Sequence, residues 1–302
     1  MSSTSPSPDL TGRTALVTGA TSGIGRAVAI ALARRGARII VPARSLPKAH
    51  AVVAALPTVP DGGGDHVVRE LDLADLTSVA SFAEATPEAI DLLVNNAGVA
   101  SPILRRTADG HELQFGTNHL GHFALTSALL PRVTGRIVTV ASQAERMSRL
   151  DVASLTAHHL DWHDRPYDAS RAYADSKLAN LLFTLELDRR LRAAGSTVRA
   201  LAAHPGIVVT AIYDRRDGRR AGLWDRLLPI IGQSADAGAL PVLMAATADL
   251  PGGTFTGPKH LLHMRGGAQV IGRSARARDG ALAQALWTAS EHLTGVRAPL
   301  PG

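Results

Sequence analysis

Between the apolar run of residues 14–18 and the helical pattern of Ala27, Val28, Ile30, Ala31 and Leu32 stands Gly19-Ala20-Thr21-Ser22-Gly23-Ile24-Gly25. A short buried strand, a glycine-rich turn and an amphipathic helix in that order commit the chain to a βα unit. Glycine permits the tight turn and a close backbone approach, and the helix N-terminus turns free N–H groups towards an anion. Gly19, Thr21, Ser22, Gly23, Ile24 and Gly25 therefore read as a pyrophosphate cradle. The spacing is Gly-x-x-x-Gly-x-Gly rather than Gly-x-Gly-x-x-Gly, so the dinucleotide fingerprint is met in context but not in letter.

The alternation continues. A second strand over 38–41 ends at Pro42-Ala43-Arg44-Ser45, Ser45 opens a helix reaching Leu56, and 57–65 is a Pro/Gly-rich loop. Strands over 66–71, 90–94, 136–140 and 197–203 end respectively at Asp72-Leu73, Asn95-Asn96-Ala97-Gly98, Ala141-Ser142 and His204-Pro205-Gly206. Helices are predicted over 76–82, about 110–130 with Asn118 inside it, 233–244 and 281–293. This pattern predicts an α/β fold: a single Rossmann-type domain over 10–302, a doubly wound parallel sheet flanked by helices, after a disordered tip over 1–9. Ligands in such sheets bind beyond the carboxyl ends of the strands, where these polar signatures fall. Leu223, Trp224, Leu227, Leu228, Ile230 and Ile231, interrupted by Pro229, make 207–233 either a substrate lid or a further part of the core.

The chemistry is expected at Tyr173-Ala174-Asp175-Ser176-Lys177. Four residues apart on a helix, Tyr173 and Lys177 share a face, and a cation beside a phenol favours the phenolate and draws its pKa from about 10 towards the working range. The chain holds three tyrosines and writes nearly every positive charge as Arg, so a Lys at this offset indicates a need for a compact ammonium. About twenty residues past the glycines the ribose-facing position carries Arg44 and no acid, which favours NADP(H) over NAD(H), with Arg26 near enough in sequence to assist. With no cysteine, disulfides, thiolate metal sites and Cys nucleophiles are excluded, and redox chemistry needs a borrowed cofactor.

Other classes are weaker. The net charge of +6 raises nucleic acid as a partner, but aromatic residues at 4% leave few stacking platforms, and the Arg215, Arg216, Arg219, Arg220 and Arg273, Arg276, Arg278 clusters read as a solvated surface. The polar segment 143–171 holds His158, His159, Asp161, His163 and Asp164, yet no second cluster accompanies them, so a solvated loop is favoured over a metal site. No apolar run approaches bilayer length, which predicts a soluble, cytoplasmic chain.

Taken together, Thr18 to Gly25, Asp72-Leu73, Asn95 to Gly98, Asn118, Ser142, Tyr173 to Lys177 and His204-Pro205-Gly206 resemble the short-chain dehydrogenase/reductase family over roughly residues 10–295. Ala172-Tyr173-Ala174-Asp175-Ser176-Lys177-Leu178-Ala179-Asn180, with Leu286-Trp287 and 291–295, resembles its retinol-dehydrogenase-like branch, whose members often act on lipophilic alcohols, aldehydes and ketones with NADP(H). The resemblance implies that Tyr173 is the acid or base and that Lys177 depresses its pKa and binds the nicotinamide ribose. Ser142 would hold the substrate oxygen and Asn118 would fix a water linking Lys177 to solvent. Gly19, Gly23 and Gly25 would cradle the pyrophosphate, Asp72 and Leu73 would meet the adenine, Asn95 would pack behind the cofactor, and Ala97, Gly98, Pro205 and Gly206 would line its path. Ala141 stands where many relatives have a second Ser. The apolar N-terminal anchor of membrane-bound animal relatives has no counterpart, so no membrane anchor is expected. Relatives form dimers or tetramers through the helices equivalent to 110–130 and 171–194, which makes a homodimer or homotetramer the expectation. A non-catalytic dinucleotide-binding sensor or scaffold is the alternative, against which the full Asn118, Ser142, Tyr173 and Lys177 set argues.

Overall fold

The computed structural model describes residues 9–60, 63–163, 165–208 and 233–300. Ala15-Leu16-Val17 and Ile39-Ile40-Val41 are buried on both faces, as strands sandwiched between helical layers must be. Strands β1 (Thr14–Val17), β2 (Arg38–Ala43), β3 (Val67–Glu70), β4 (Ile90–Asn95), β5 (Val133–Val140), β6 (Arg199–Ala203), β7 (Phe255–Gly257) and β8 (Gln269–Val270) form one sheet among the described residues, in the order β3-β2-β1-β4-β5-β6-β7-β8. Every neighbouring pair is parallel except β7 with β8. From β1 the chain winds out to β3 and returns to β4 on the other side, so the order reverses between β1 and β4. In doubly wound sheets ligands bind at such a reversal, at the carboxyl edge of the sheet.

Helices cover both faces. On one, α1 (Gly23–Ala33) packs Val28 and Leu32 over Val41, Val94, Val138 and Leu201, together with Val242 and Leu243 of a helix over Ala235–Thr247. On the same face α2 (Leu46–Val53) buries Ala49 in that cluster, and the other face holds a core of Phe82, Leu93, Phe123, Leu129 and Phe183. Phe82 comes from α3 (Leu76–Glu84), whose N-cap Asp75 accepts from the N–H groups of Thr77 and Ser78.

The helix predicted over 110–130 is not continuous. A short turn α4 (Leu113–Phe115) passes into a π-helical turn at Gly116–Leu120 and then into α5 (Gly121–Leu129). Asn118 sits in the π turn, where the hydrogen-bond ladder is shifted by one residue, a feature frequent at functional sites. Other departures are smaller. Ser45 occupies the N-cap of α2 without a side-chain capping bond. Strands β7 and β8 lie in a stretch for which no strand was predicted, being three and two residues long between Gly and Pro. The segment 143–171 holds turns and a short helix α6 (Ala157–Leu160), and Asp161 is not solvated: it is buried and accepts from the backbone N–H of Glu112 at 2.8 Å. Among the described residues no group of three or more His, Asp and Glu is arranged to hold a metal. Asp164, the tip over 1–8, most of the 207–233 stretch and the arginines from 215 to 220 lie outside the described residues. Arg273 is partly buried and donates to the Gly253 carbonyl, whereas Arg276 is exposed, as expected of a surface arginine, and donates to the Ser148 carbonyl at 2.6 Å. No helix is long and apolar enough to cross a membrane among the described residues.

The long helix α7 (Ala169–Ala193) begins at its N-cap Asp168, and the helix over Ala235–Thr247 is α8. The last helix, α9 (Gly280–Thr294), lies along α7. Leu282 and Leu286 enter the cluster containing Leu178, Leu181 and Leu182, and the Trp287 ring meets Phe123 at 5.1 Å and Phe183 at 5.9 Å. Burying these side chains covers the side of α5 and α7 that faces away from the sheet.

Away from the carboxyl edge, Glu88 accepts two hydrogen bonds from Arg69, at 2.6 and 3.0 Å, and one from Arg38 at 3.4 Å. The Arg69 guanidinium holds its carboxyl down at about 2. The folded pKa lies below the unfolded one, so this stabilisation is present above the ordinary carboxylate range and is lost as pH falls through about 2. Glu88→Gln is expected to cost about 1–2 kcal/mol near neutrality, with the gap to wild type closing at acid pH, as read by urea unfolding at both.

Candidate active site

The turn after β1 is shaped by contacts that leave no room for a side chain. Gly19 has φ +68°, and a Cβ there would lie 2.9 Å from the Ala97 Cα; a Cβ on Gly25 would lie 2.4 Å from both the Gly19 carbonyl oxygen and Asn96 Nδ2. The glycine turn is thus pressed against the loop that follows β4, across the point where the strand order reverses. Ser22 is the N-cap of α1 in extended conformation, its hydroxyl makes no capping bond, and no acid stands in the first helical turn. Orphan N–H groups, an unspent hydroxyl and a side-chain-free approach fit a dinucleotide pyrophosphate.

Thr18, 1% exposed, locks the two loops together. Its Oγ1 accepts from the backbone N–H groups of Asn96 and Ala97, both at 2.9 Å, while Asn96 Nδ2 donates to the Thr18 carbonyl at 2.8 Å. Asn95 faces the helix layer, donating to Thr126 Oγ1 at 2.8 Å, so it braces β4 from behind. Arg44 is exposed immediately after β2, the strand next to β1. Beyond β3, Asp72 spends one carboxylate oxygen on the N–H of Ala74. The buried Leu73 presents its carbonyl to Gly121, where a Cβ would come within 2.2 Å of it. At the other end Pro205 and Gly206 follow β6. Gly238 of α8 packs against Val208, the Pro205 carbonyl and Ile24, which brings the Pro205 loop beside the cradle helix.

The proton-handling residues converge on the carboxyl end of β5. Lys177 is 2% exposed, and its Nζ donates to the Val140 carbonyl at 3.3 Å and lies 5.5 Å from the centre of the Tyr173 ring. Burial lowers its pKa from 10.5 to about 8, so the ammonium stays charged near neutrality and is easily persuaded to release a proton above it. Ser142, two residues after Val140, is half-buried, and its Oγ accepts from the Ala144 N–H at 3.2 Å. A position one Cβ out from Gly98 lies 3.4 Å from Asn118 Oδ1 and 3.5 Å from Lys177 Nζ, which places Asn118, Gly98 and Lys177 around one point. The Asn118 side chain is fully engaged: Oδ1 accepts from the Val99 N–H at 2.8 Å, and Nδ2 donates to the Val99 carbonyl and to Ser176 Oγ, each at 3.0 Å.

Several residues of this cluster stand within or near the sequence motifs, but their contacts do not follow from the sequence. Asn180 donates to the same Val140 carbonyl as Lys177, at 3.1 Å; its position one helical turn after Lys177 is the only hint of it. Ser176 joins Asn118 to the Tyr173 carbonyl, donating to the latter at 2.8 Å. Thr18 and His122 meet at 2.9 Å although 104 residues separate them, a pairing that only the folded chain brings about. The arrangement sets an ammonium beside a phenol, with the Ser142 hydroxyl at the end of β5, and is suited to moving a proton on or off an oxygen.

The short chain dehydrogenase family model matches residues 13–157. Human (Homo sapiens) retinol dehydrogenase 13 is 38% identical over 309 residues, covering 95% of this chain and 86% of its own length. Homo sapiens retinol dehydrogenase 11 is 36% identical, covering 95% and 87%. Among solved structures, an uncharacterized protein from Mycobacterium paratuberculosis superposes with TM-score 0.82 at 45% identity, covering 98% of both chains. A short chain dehydrogenase from Burkholderia cenocepacia J2315 in complex with NADP superposes with TM-score 0.61 at 25% identity, covering 82% of this chain and 96% of its own.

Proposed function

Because the chain belongs to the short-chain dehydrogenase family, a family of nicotinamide-dinucleotide oxidoreductases, we propose that it moves a hydride between NADP(H) and the carbon of an alcohol or carbonyl group on an apolar substrate. The observation that carries this reading is the Tyr173, Lys177 and Asn118 cluster against the Val140 carbonyl, one residue short of Ala141-Ser142 and beside the glycine cradle. When bound, the nicotinamide supplies or takes up the hydride. Negative charge then develops on, or is withdrawn from, the substrate oxygen. Ser142 donates to that oxygen and fixes it, and Tyr173 delivers or removes the proton. The buried Lys177 ammonium, 5.5 Å from the centre of the Tyr173 ring, stabilises negative charge on the Tyr173 oxygen while the proton is in transit. Of its three N–H donors the Val140 carbonyl takes one, leaving others for a ribose hydroxyl or for a water.

Arg44 beyond β2, with no acid at that position, supports NADP(H) over NAD(H), as does the neighbour solved with NADP. Arg44→Asp is expected to weaken NADPH by about a hundredfold while changing NADH by less than about threefold. Fluorescence titration reads both, and an unchanged preference removes Arg44 from the phosphate site. The retinol dehydrogenase relatives and the apolar residues between 223 and 231 support an apolar substrate. A screen of reduced-nicotinamide oxidation tests it: fastest turnover of small polar carbonyls contradicts it. Because α9 covers the outer side of α5 and α7, any dimer or tetramer is proposed to form through another face, which light scattering combined with cross-linking of cysteines introduced on those helices would check.

A further inference from the structure

We infer that His122 is a positioning residue that ties the Asn118 carbonyl to the dinucleotide cradle through one fixed tautomer. This rests on the oxidoreductase reading for its catalytic consequence, but not for its geometry. His122 is 1% exposed in α5, one turn after Asn118. Its Nδ1 lies 3.0 Å from the Asn118 carbonyl oxygen, which can only accept, so Nδ1 bears the hydrogen. Nε2 is therefore a lone pair, and Thr18 Oγ1, 2.9 Å away, donates to it. That spends the single Thr18 hydrogen, leaving its oxygen to accept from the N–H groups of Asn96 and Ala97. The Val94 carbonyl, at 3.3 Å, is the poorer alternative for the hydroxyl. No other protonation state satisfies every partner: a hydrogen on Nε2 would point at an oxygen whose lone pairs are already engaged. Burial and the nearby Lys177 charge act in the same direction, keeping the imidazole neutral down to about 4.

The ring thus has two ends with separate duties. The Asn118 side chain is committed to Val99 and Ser176, and its main-chain carbonyl is held by His122 Nδ1. The Nε2 end sets Thr18, and Thr18 holds the Asn96-Ala97 backbone against which Gly19 is pressed. One end serves the proton-handling side and the other the cofactor side.

Substitutions separate them. Asn at 122 places an amide N–H near Nδ1 and loses the Nε2 acceptor; Gln reaches towards Thr18 and loses the Asn118 donor; Leu loses both. His122→Asn is expected to keep kcat within about threefold and to weaken NADPH about tenfold, whereas His122→Gln keeps NADPH affinity and lowers kcat about tenfold with a displaced pH profile. His122→Leu should show both losses. Asn and Gln variants that match the Leu variant in both quantities, or three variants indistinguishable from wild type, would overturn the assignment. Imidazole nitrogen NMR on the wild-type protein decides the tautomer without activity or mutation: a protonated Nδ1 with a bare Nε2 near neutrality is expected, and the reverse refutes the proposal even if the variants fail to fold. Should wild type turn over nothing, the oxidoreductase reading fails, while the tautomer and the NADPH affinities still judge His122.

Discussion

Tyr173→Phe is expected to lower turnover roughly a thousandfold while changing NADPH affinity by less than about threefold, because it deletes one hydroxyl and leaves the ring in place. The ring is half-buried on α7, and its centre lies 5.5 Å from Lys177 Nζ, a contact that Phe retains. What disappears is the only group of the cluster able to exchange a proton with a substrate oxygen while a neighbouring cation tunes it. Steady-state kinetics paired with a binding titration on the same sample separates the two quantities. Turnover within a few fold of wild type would remove Tyr173 from the acid–base role. An equal loss of binding would make it a cofactor contact instead.

Lys177→Met is expected to abolish activity and yet to raise the stability of the protein. Lys177 is buried, and burial has drawn its pKa from 10.5 to about 8. The folded state therefore holds a proton less tightly than the unfolded chain does. The penalty is absent above the unfolded pKa, grows as pH falls from about 10.5 to about 8, and is fully present below. At neutrality it amounts to about 3 kcal/mol at most, part of which the Val140 hydrogen bond offsets. Methionine fills similar volume without a charge, so the variant should gain about 2 kcal/mol near neutrality, shrinking towards zero by about pH 10.5. Denaturant unfolding across that window measures it. A variant less stable than wild type at neutrality would mean that the ammonium is well solvated by its neighbours, and that no strain is stored here for the sake of function.

What the sequence made legible is what depends on neighbours along the chain. The strand, glycine turn and helix around Gly19 to Gly25, the polar ends of the strands and the four-residue offset of Tyr173 and Lys177 are local patterns with local physical causes, and each sits at the carboxyl edge of the sheet as expected. What escaped depends on residues meeting across the fold. Nothing near Asn118 announces a π turn, and Thr18 and His122 become partners only when β1 is laid beside β4 under α5. Asp161 read as a loop acid because its surroundings are polar, whereas its buried role is set by the Glu112 N–H and by His111, 3.3 Å away. Strands β7 and β8 are too short to show a period of two, and they owe their conformation to pairing with β6 and with each other. That α9 would lie over α5 and α7 was invisible for the same reason: Leu282, Leu286 and Trp287 mark an apolar face but not its partner.

The central claim is that this site passes a hydride to or from a substrate carbon with Tyr173 managing the proton. Its most direct test is to incubate the protein with NADPH deuterated at C4 and an apolar aldehyde, retinaldehyde among those tried, and to weigh the alcohol formed. Deuterium on the product's carbinol carbon, absent from the Tyr173→Phe reaction, is the predicted result. Saturable NADPH binding with no label in any product, identical in wild type and Tyr173→Phe, would contradict the account and leave a dinucleotide-binding protein that does no chemistry on alcohols or carbonyls.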